Sequence, residues 1–129
     1  MSNSTASPPH PFAELLGFTI TARSEGQCTS ELVISNKHLN PNNVVHGGVI
    51  YTLADTGMGG ALTSMLDDGQ LCATIEIKIN YFRPAISGTL RCETKVVHKG
   101  RRTAAMESEV LGDDGKLLAR ATGTFMIFE

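Results

Sequence analysis

A single carboxylate, Asp55, interrupts the apolar stretch Val44 to Leu66, VVHGGVIYTLADTGMGGALTSML, and nine residues ahead of it stands His46-Gly47-Gly48. A helix begun at these glycines leaves its first four N–H groups without intrahelical acceptors, and its macrodipole favours negative charge there. A backbone donor for a developing oxyanion and a lone carboxylate to activate a nucleophile are the two parts that acyl transfer needs. Two glycines directly before bulky Val49 and Ile50 suit close approach of a ligand to the backbone at Gly47, Gly48 and Val49.

Distance decides how the two parts cooperate. Gly47 and Asp55 are eight residues apart, roughly 12 Å along one helix. A reacting carbonyl needs its donor at about 3 Å, and a base must reach the water it activates. One helix serves both tasks badly. The simpler geometry takes the His46-Gly47 end from one subunit and Asp55 from its twin, which predicts a two-fold homodimer with paired sites.

The run from Asn40 to Ala61, with HGG and then LAD on the following helix, resembles the hotdog-fold acyl-CoA thioesterases of the phenylacetic-acid-pathway type, and the likeness extends from about Phe12 to the C-terminus. One departure is Asn43, three residues before the His, where these proteins often carry glycine; Asn is the next best residue for a left-handed backbone. The resemblance implies a hotdog fold, hydrolysis of an aryl, phenylacetyl-like or medium-chain acyl-CoA, and back-to-back pairs of dimers. It implies no metal or redox cofactor, coenzyme A being part of the substrate. It also implies Asp55 as base or nucleophile, the two alternatives standing open, and the Gly47 N–H as the group polarising the thioester carbonyl. His46 then shapes the loop or contacts the thioester. Asn40 matches a position near the carbonyl or the attacking water, although a turn residue before Pro41 fits equally. Thr74 matches one that holds the water, and an ordinary strand threonine fits as well.

His98-Lys99-Gly100-Arg101-Arg102 is the densest positive run of the chain. Such runs are usually solvated hairpin tips, but Arg forks and turn N–H groups also suit the phosphates of coenzyme A. Lys99, Gly100, Arg101 and Arg102 are the candidate clamp, with Arg83 expected to join them. Two other activities remain in view: an acyl-thioester dehydratase or hydratase, which needs His46 as a true base, and a non-catalytic acyl-CoA-binding protein.

Composition narrows the field further. A net charge of −2 and the absence of Trp argue against nucleic acid as a partner. Cys28, Cys72 and Cys92 are odd in number and widely spaced, which suggests neither a disulfide framework nor a thiolate zinc site and fits a reducing cytoplasm. The four histidines show no metal-ligand spacing. No stretch is long and apolar enough for a membrane span, and residues 1–30 lack the pattern of a secretory signal.

The elements that must hold these groups read as one α+β domain over residues 12–129, preceded by a Ser- and Pro-rich disordered tail over 1–11. Phe12 to Leu16 forms a short helix ended by Gly17, with Phe12, Leu15 and Leu16 on one side, covering the core or lidding the pocket. Strands are expected at 18–24 and 28–34 around a Glu25-Gly26 turn, then at 74–81, 89–97, 103–111 and 117–128, the last three as a meander. Thr74 to Tyr81 alternates strictly, so Ile75, Ile77, Ile79 and Tyr81 should face one side and Thr74 the other. Five to six antiparallel strands curled around one long central helix account for the pattern.

Overall fold

The computed structural model describes residues 10–129, so most of the expected tail lies outside it. The elements in chain order are α1 (Pro11–Leu16), β1 (Phe18–Ser24), β2 (Gln27–Val33), a 3₁₀ turn (Asn36–His38), α2 (Gly47–Thr63), β3 (Leu71–Tyr81), β4 (Thr89–Lys99), β5 (Thr103–Leu111) and β6 (Leu117–Phe128). The six strands make one antiparallel sheet in the order β1-β2-β4-β5-β6-β3, so that the expected meander holds and the first strand, β1, and the strand just after α2, β3, become the two edges.

The sheet curls around α2. Val49, Ile50, Leu53, Ala54, Met58, Ala61 and Leu62 are buried on it, at helical spacings that cover more than one face. Thr52, Asp55, Gly59 and Thr63 remain partly or fully accessible and form the one polar stripe. That stripe lies on the face the sheet leaves uncovered, because edge strands β1 and β3 are not hydrogen-bonded to each other.

Two local expectations about backbone are met. Glu25 and Gly26 both take positive φ, 53° and 81°, as a two-residue hairpin turn requires. Asn43 stands at φ 63°, the left-handed conformation for which it was the best substitute after glycine. The first helix differs in detail. It begins at Pro11, one residue early, with His10 Nδ1 accepting the Ala13 N–H as its cap. Ala13 is its buried residue and Leu16 packs against the core, whereas Phe12 and Leu15 are exposed and do not cover it.

The larger difference lies in β3. Its register with β6 slips between Thr74 and Glu76, leaving Ile75 as the extra residue of a bulge. Alternation therefore breaks there: Ile77 and Ile79 pack into the core, but Ile75 is 54% exposed. Thr74 pairs with Phe125, which is buried, and so turns toward the helix instead of away from it. The predicted outward placement of Thr74 is corrected by this single inserted residue.

Glycine sets the distance between helix and sheet. A Cβ on Gly57 would strike Thr94 Oγ1, and that hydroxyl is fixed by Ser108 Oγ at 2.7 Å. Helix propensity favours Ala over Gly by about 1 kcal/mol, while overpacking costs about 1–3 kcal/mol. Because the struck atom is tethered, the clash wins. Gly57→Ala is expected to lower unfolding stability by roughly 1–2 kcal/mol in a denaturant titration.

Candidate active site

The loop ahead of α2 is built by its asparagines and by a buried histidine. Asn40 Oδ1 accepts the N–H of Asn42 at 2.8 Å and of Val44 at 3.3 Å, so its side-chain oxygen is committed to the turn. His38 is buried, its Nδ1 accepting the Ser35 N–H at 2.9 Å and its Nε2 donating to the Leu16 carbonyl at 2.6 Å. Its own carbonyl accepts the His46 N–H at 2.8 Å, and the Ala85 carbonyl accepts that of Val45. His38 thus ties α1, the loop and the start of α2 together, a role its isolated position in the sequence did not signal.

At the helix start, His46 is the N-cap residue and its Nδ1 accepts the Gly48 N–H at 2.8 Å. The Gly47 N–H has no acceptor among the described residues. Its carbonyl accepts the Tyr81 hydroxyl at 2.7 Å, and the Tyr81 ring packs where a Gly47 Cβ would stand, 3.1 Å from Cζ. Thr52 Oγ1 holds the Gly48 carbonyl at 2.8 Å. Burial first, and then neighbouring Tyr51, push the Tyr81 phenol above its ordinary value, so the hydroxyl is a donor at neutral pH. Sequence spacing marks Tyr81 only as a position on one face of β3 and gives no sign of this bond to Gly47.

Asp55 sits eight residues further on, midway along α2, where it accepts the Thr74 hydroxyl at 2.8 Å. The two share a cleft of about 320 Å³ that includes Gly59, Gly60, Cys72 and Phe125. Val49 is buried within the chain's own core, so its side chain is packing and only its neighbourhood adjoins the site. A separate concavity of about 380 Å³ on the outer sheet face is lined by Glu93, Lys95, Glu107, Glu109 and Arg120. Lys95 pairs with Glu107 and Arg120 with Glu109, which makes its outer wall a solvated charge ladder.

The positive groups divide. Arg101 and Arg102 border a hollow with Gln70 and Phe128 at the Leu71 end of β3, and Lys99 and Gly100 belong to the same hairpin. Arg83 borders a different one, with Gly47, Ile50 and Tyr81, beyond the strand's other end. Ten residue steps at about 3.3 Å separate the ends of β3, so within one chain Arg83 does not join the Lys99 to Arg102 patch. Among the described residues no three His, Cys, Asp or Glu side chains converge as a metal site, and no helix is long and apolar enough to cross a membrane.

Sequence and structure comparisons then fix the family. Residues 42–119 match the model of the thioesterase superfamily. The chain belongs to that superfamily. A protein of Archaeoglobus fulgidus is 40% identical over 112 residues, 86% of this chain and 71% of its own. The acyl-coenzyme A thioesterase PaaI of Escherichia coli is 29% identical over 112 residues, 86% of this chain and 78% of its own. A conserved Pseudomonas aeruginosa protein of known structure superposes with a TM-score of 0.89 at 34% identity, covering 93% of this chain and 95% of the other. The sheet and central helix are the hotdog fold, and the protein is a PaaI-like thioester hydrolase.

Two outcomes follow from this geometry. Tyr81→Phe keeps the ring against Gly47 and deletes only the bond to its carbonyl; thioesterase kcat/KM is expected to fall about 3- to 10-fold with unfolding stability within about 1 kcal/mol of wild type. Cys72 lines the Asp55 cleft, whereas Cys28 and Cys92 are buried, and burial pushes the Cys92 thiol up to about 11 despite the neighbouring Thr94 and Ser108 hydroxyls. An alkylating reagent at neutral pH should therefore label Cys72 first and inhibit as it does so, with the other two reacting only on unfolding, as read by peptide mass mapping.

Proposed function

We propose that the thioesterase hydrolyses acyl-CoA, with an aryl or medium-chain acyl group, at sites shared between two subunits. Asp55 acts from one helix and the Gly47 N–H from the other. The observation that carries this reading is the pair of marks on one edge strand: Thr74 of β3 holds Asp55, and Tyr81 of β3 holds Gly47. An edge strand presents unpaired backbone groups. A two-fold axis at Lys78, pairing β3 with its copy and counting the bulged Ile75-Glu76 as one position, sets Thr74 of one chain across from Tyr81 of the other, both on the helix-facing side. Each Asp55 then faces its twin's helix start. The same operation sets one chain's Arg83 beside the other's Lys99 to Arg102 hairpin, which supports a phosphate clamp assembled across the dimer.

In the reaction so read, the acyl carbonyl oxygen accepts the free Gly47 N–H at the positive end of α2, where charge develops. Asp55 takes a proton from water as it attacks, or attacks the carbonyl carbon itself to give an anhydride that water opens. The carbon–sulfur bond breaks, the thiolate leaves as coenzyme A and takes up the proton, and the free acid remains. Thr74 donates to one carboxylate oxygen and so leaves the other for the water. Asn40 shapes the loop that presents Gly47.

His46 favours hydrolysis over the dehydratase alternative. With Nδ1 accepting the Gly48 N–H, the ring proton resides on Nε2, so the exposed nitrogen is a donor and not a base.

Asp55→Ala and Gly47→Pro, the latter removing the N–H at a first-turn position where proline is tolerated while also crowding the Tyr81 ring, should each lower kcat by about 100-fold or more. Equal amounts of the two, unfolded and refolded together, give half heterodimers, each with one intact site. Activity should recover to about a quarter of wild type. No recovery from stable heterodimers would refute the shared site.

A further inference from the structure

Both edge strands flanking the open face of α2 carry a bulge, and the second aims a cation. On β1 the register with β2 slips between Ile20 and Ala22, and beyond it Arg23 pairs with Cys28. Cys28 is buried against α2, its Sγ 3.0 Å from the place of a Cβ on Gly60. Cross-strand partners share a face, so Arg23 faces the helix, and its Cδ lies 3.6 Å from that same Gly60 position. Without the slip, alternation from Phe18 and Ile20 would have turned Ala22 inward and Arg23 to the outer face.

Among the described residues no counter-ion meets it. The ion pairs among the described residues use Arg91, Lys95 and Arg120, and none of the hydrogen bonds there involves the Arg23 guanidinium. Arg23 lines the same cleft as Asp55 and Thr74, over the bare backbone of Gly59 and Gly60, with Ile20 and Phe125 as apolar walls. An unpaired guanidinium beside an apolar slot is a fork for a planar anion.

Position tells which anion. Gly60 is five residues past Asp55, roughly 7–8 Å along the helix axis. That is the span of a short acyl chain or a ring. The phosphates of coenzyme A are carried much further from the sulfur by the pantetheine arm, so an anion at Arg23 belongs to the acyl half of the substrate.

We propose that the enzyme takes acyl groups ending in a carboxylate, with Arg23 receiving that carboxylate while Asp55 works on the thioester. The proposal rests on the assignment of Asp55 above. The competing account is that an inward-pointing charge on an edge strand merely discourages edge-to-edge association.

The test uses adipyl-CoA and hexanoyl-CoA, equal in carbon count and differing in the terminal carboxylate, with the full chain as wild type, Arg23→Gln, Arg23→Lys and Asp55→Ala. Wild type should prefer adipyl-CoA in kcat/KM by about tenfold or more, most of the preference residing in KM, as expected of a charge-assisted pair. Arg23→Gln should collapse that ratio, and Arg23→Lys should restore much of it. A wild type without preference, or an Arg23→Gln variant that slows both substrates equally, overturns the proposal. An active Asp55→Ala overturns instead the assignment on which it rests, whatever the ratio.

Discussion

A helix that is apolar over most of its circumference has to be wrapped, and six strands do not quite close around it. The two edges of the sheet stop short of each other, and α2 is left with one open stripe. That gap is the constraint from which the chemistry of this thioesterase descends. Thr52, Asp55, Gly59 and Thr63 lie in it, and the edge strands β1 and β3 are its banks. A carboxylate within the wrapped faces would pay a desolvation cost that only pairing could offset. On the open stripe Asp55 stays hydrated on one side and is held by Thr74 on the other.

The banks are irregular for a reason. A strand that alternated without interruption would give the helix either an apolar side chain or, one residue out of phase, a polar one, along its whole length. β3 has to do both: cover the core with Ile77 and Ile79, and touch Asp55 with Thr74. One inserted residue at Ile75 reconciles the two demands. β1 repeats the device, with Phe18 and Ile20 facing inward before its slip and Arg23 after it.

This explains which parts of the molecule were legible in the sequence. Apolar spacing in α2, the strict patterns of β5 and β6, and Asn43 as a stand-in for glycine each depend on a few neighbouring residues, and each was read with its boundaries or conformation intact. The separation of His46-Gly47 from Asp55 was legible because helix rise fixes it. A bulge leaves no such trace. ATIEIKINY alternates as well with Ile75 facing in as with it facing out, and only pairing with β6 decides. Tyr81 was hidden for the same reason, since its bond to Gly47 joins residues 34 apart. Arg83 and the Lys99 hairpin were grouped by charge, but strand length parts them within one chain.

In the proposed reaction, the helix start costs little when charge appears on the substrate. Of the first three amides of α2, Gly48 is satisfied by His46 Nδ1 and Val49 by the His46 carbonyl, which leaves Gly47 as the donor without a partner among the described residues. Tyr81 and Thr52 hold the carbonyls of Gly47 and Gly48, and His38 anchors the preceding strand of loop. These bonds fix the direction of the free N–H before any ligand arrives, and a donor already oriented needs no reorganisation as an oxyanion forms. Glycine is the residue that permits it, because the Tyr81 ring stands 3.1 Å from where a Cβ would be. A larger residue would push the ring away or tilt the peptide, and either change misdirects the amide. The unfavourable helix propensity of glycine, about 1 kcal/mol relative to Ala, is small beside the several kcal/mol that one well-aimed oxyanion donor contributes to catalysis.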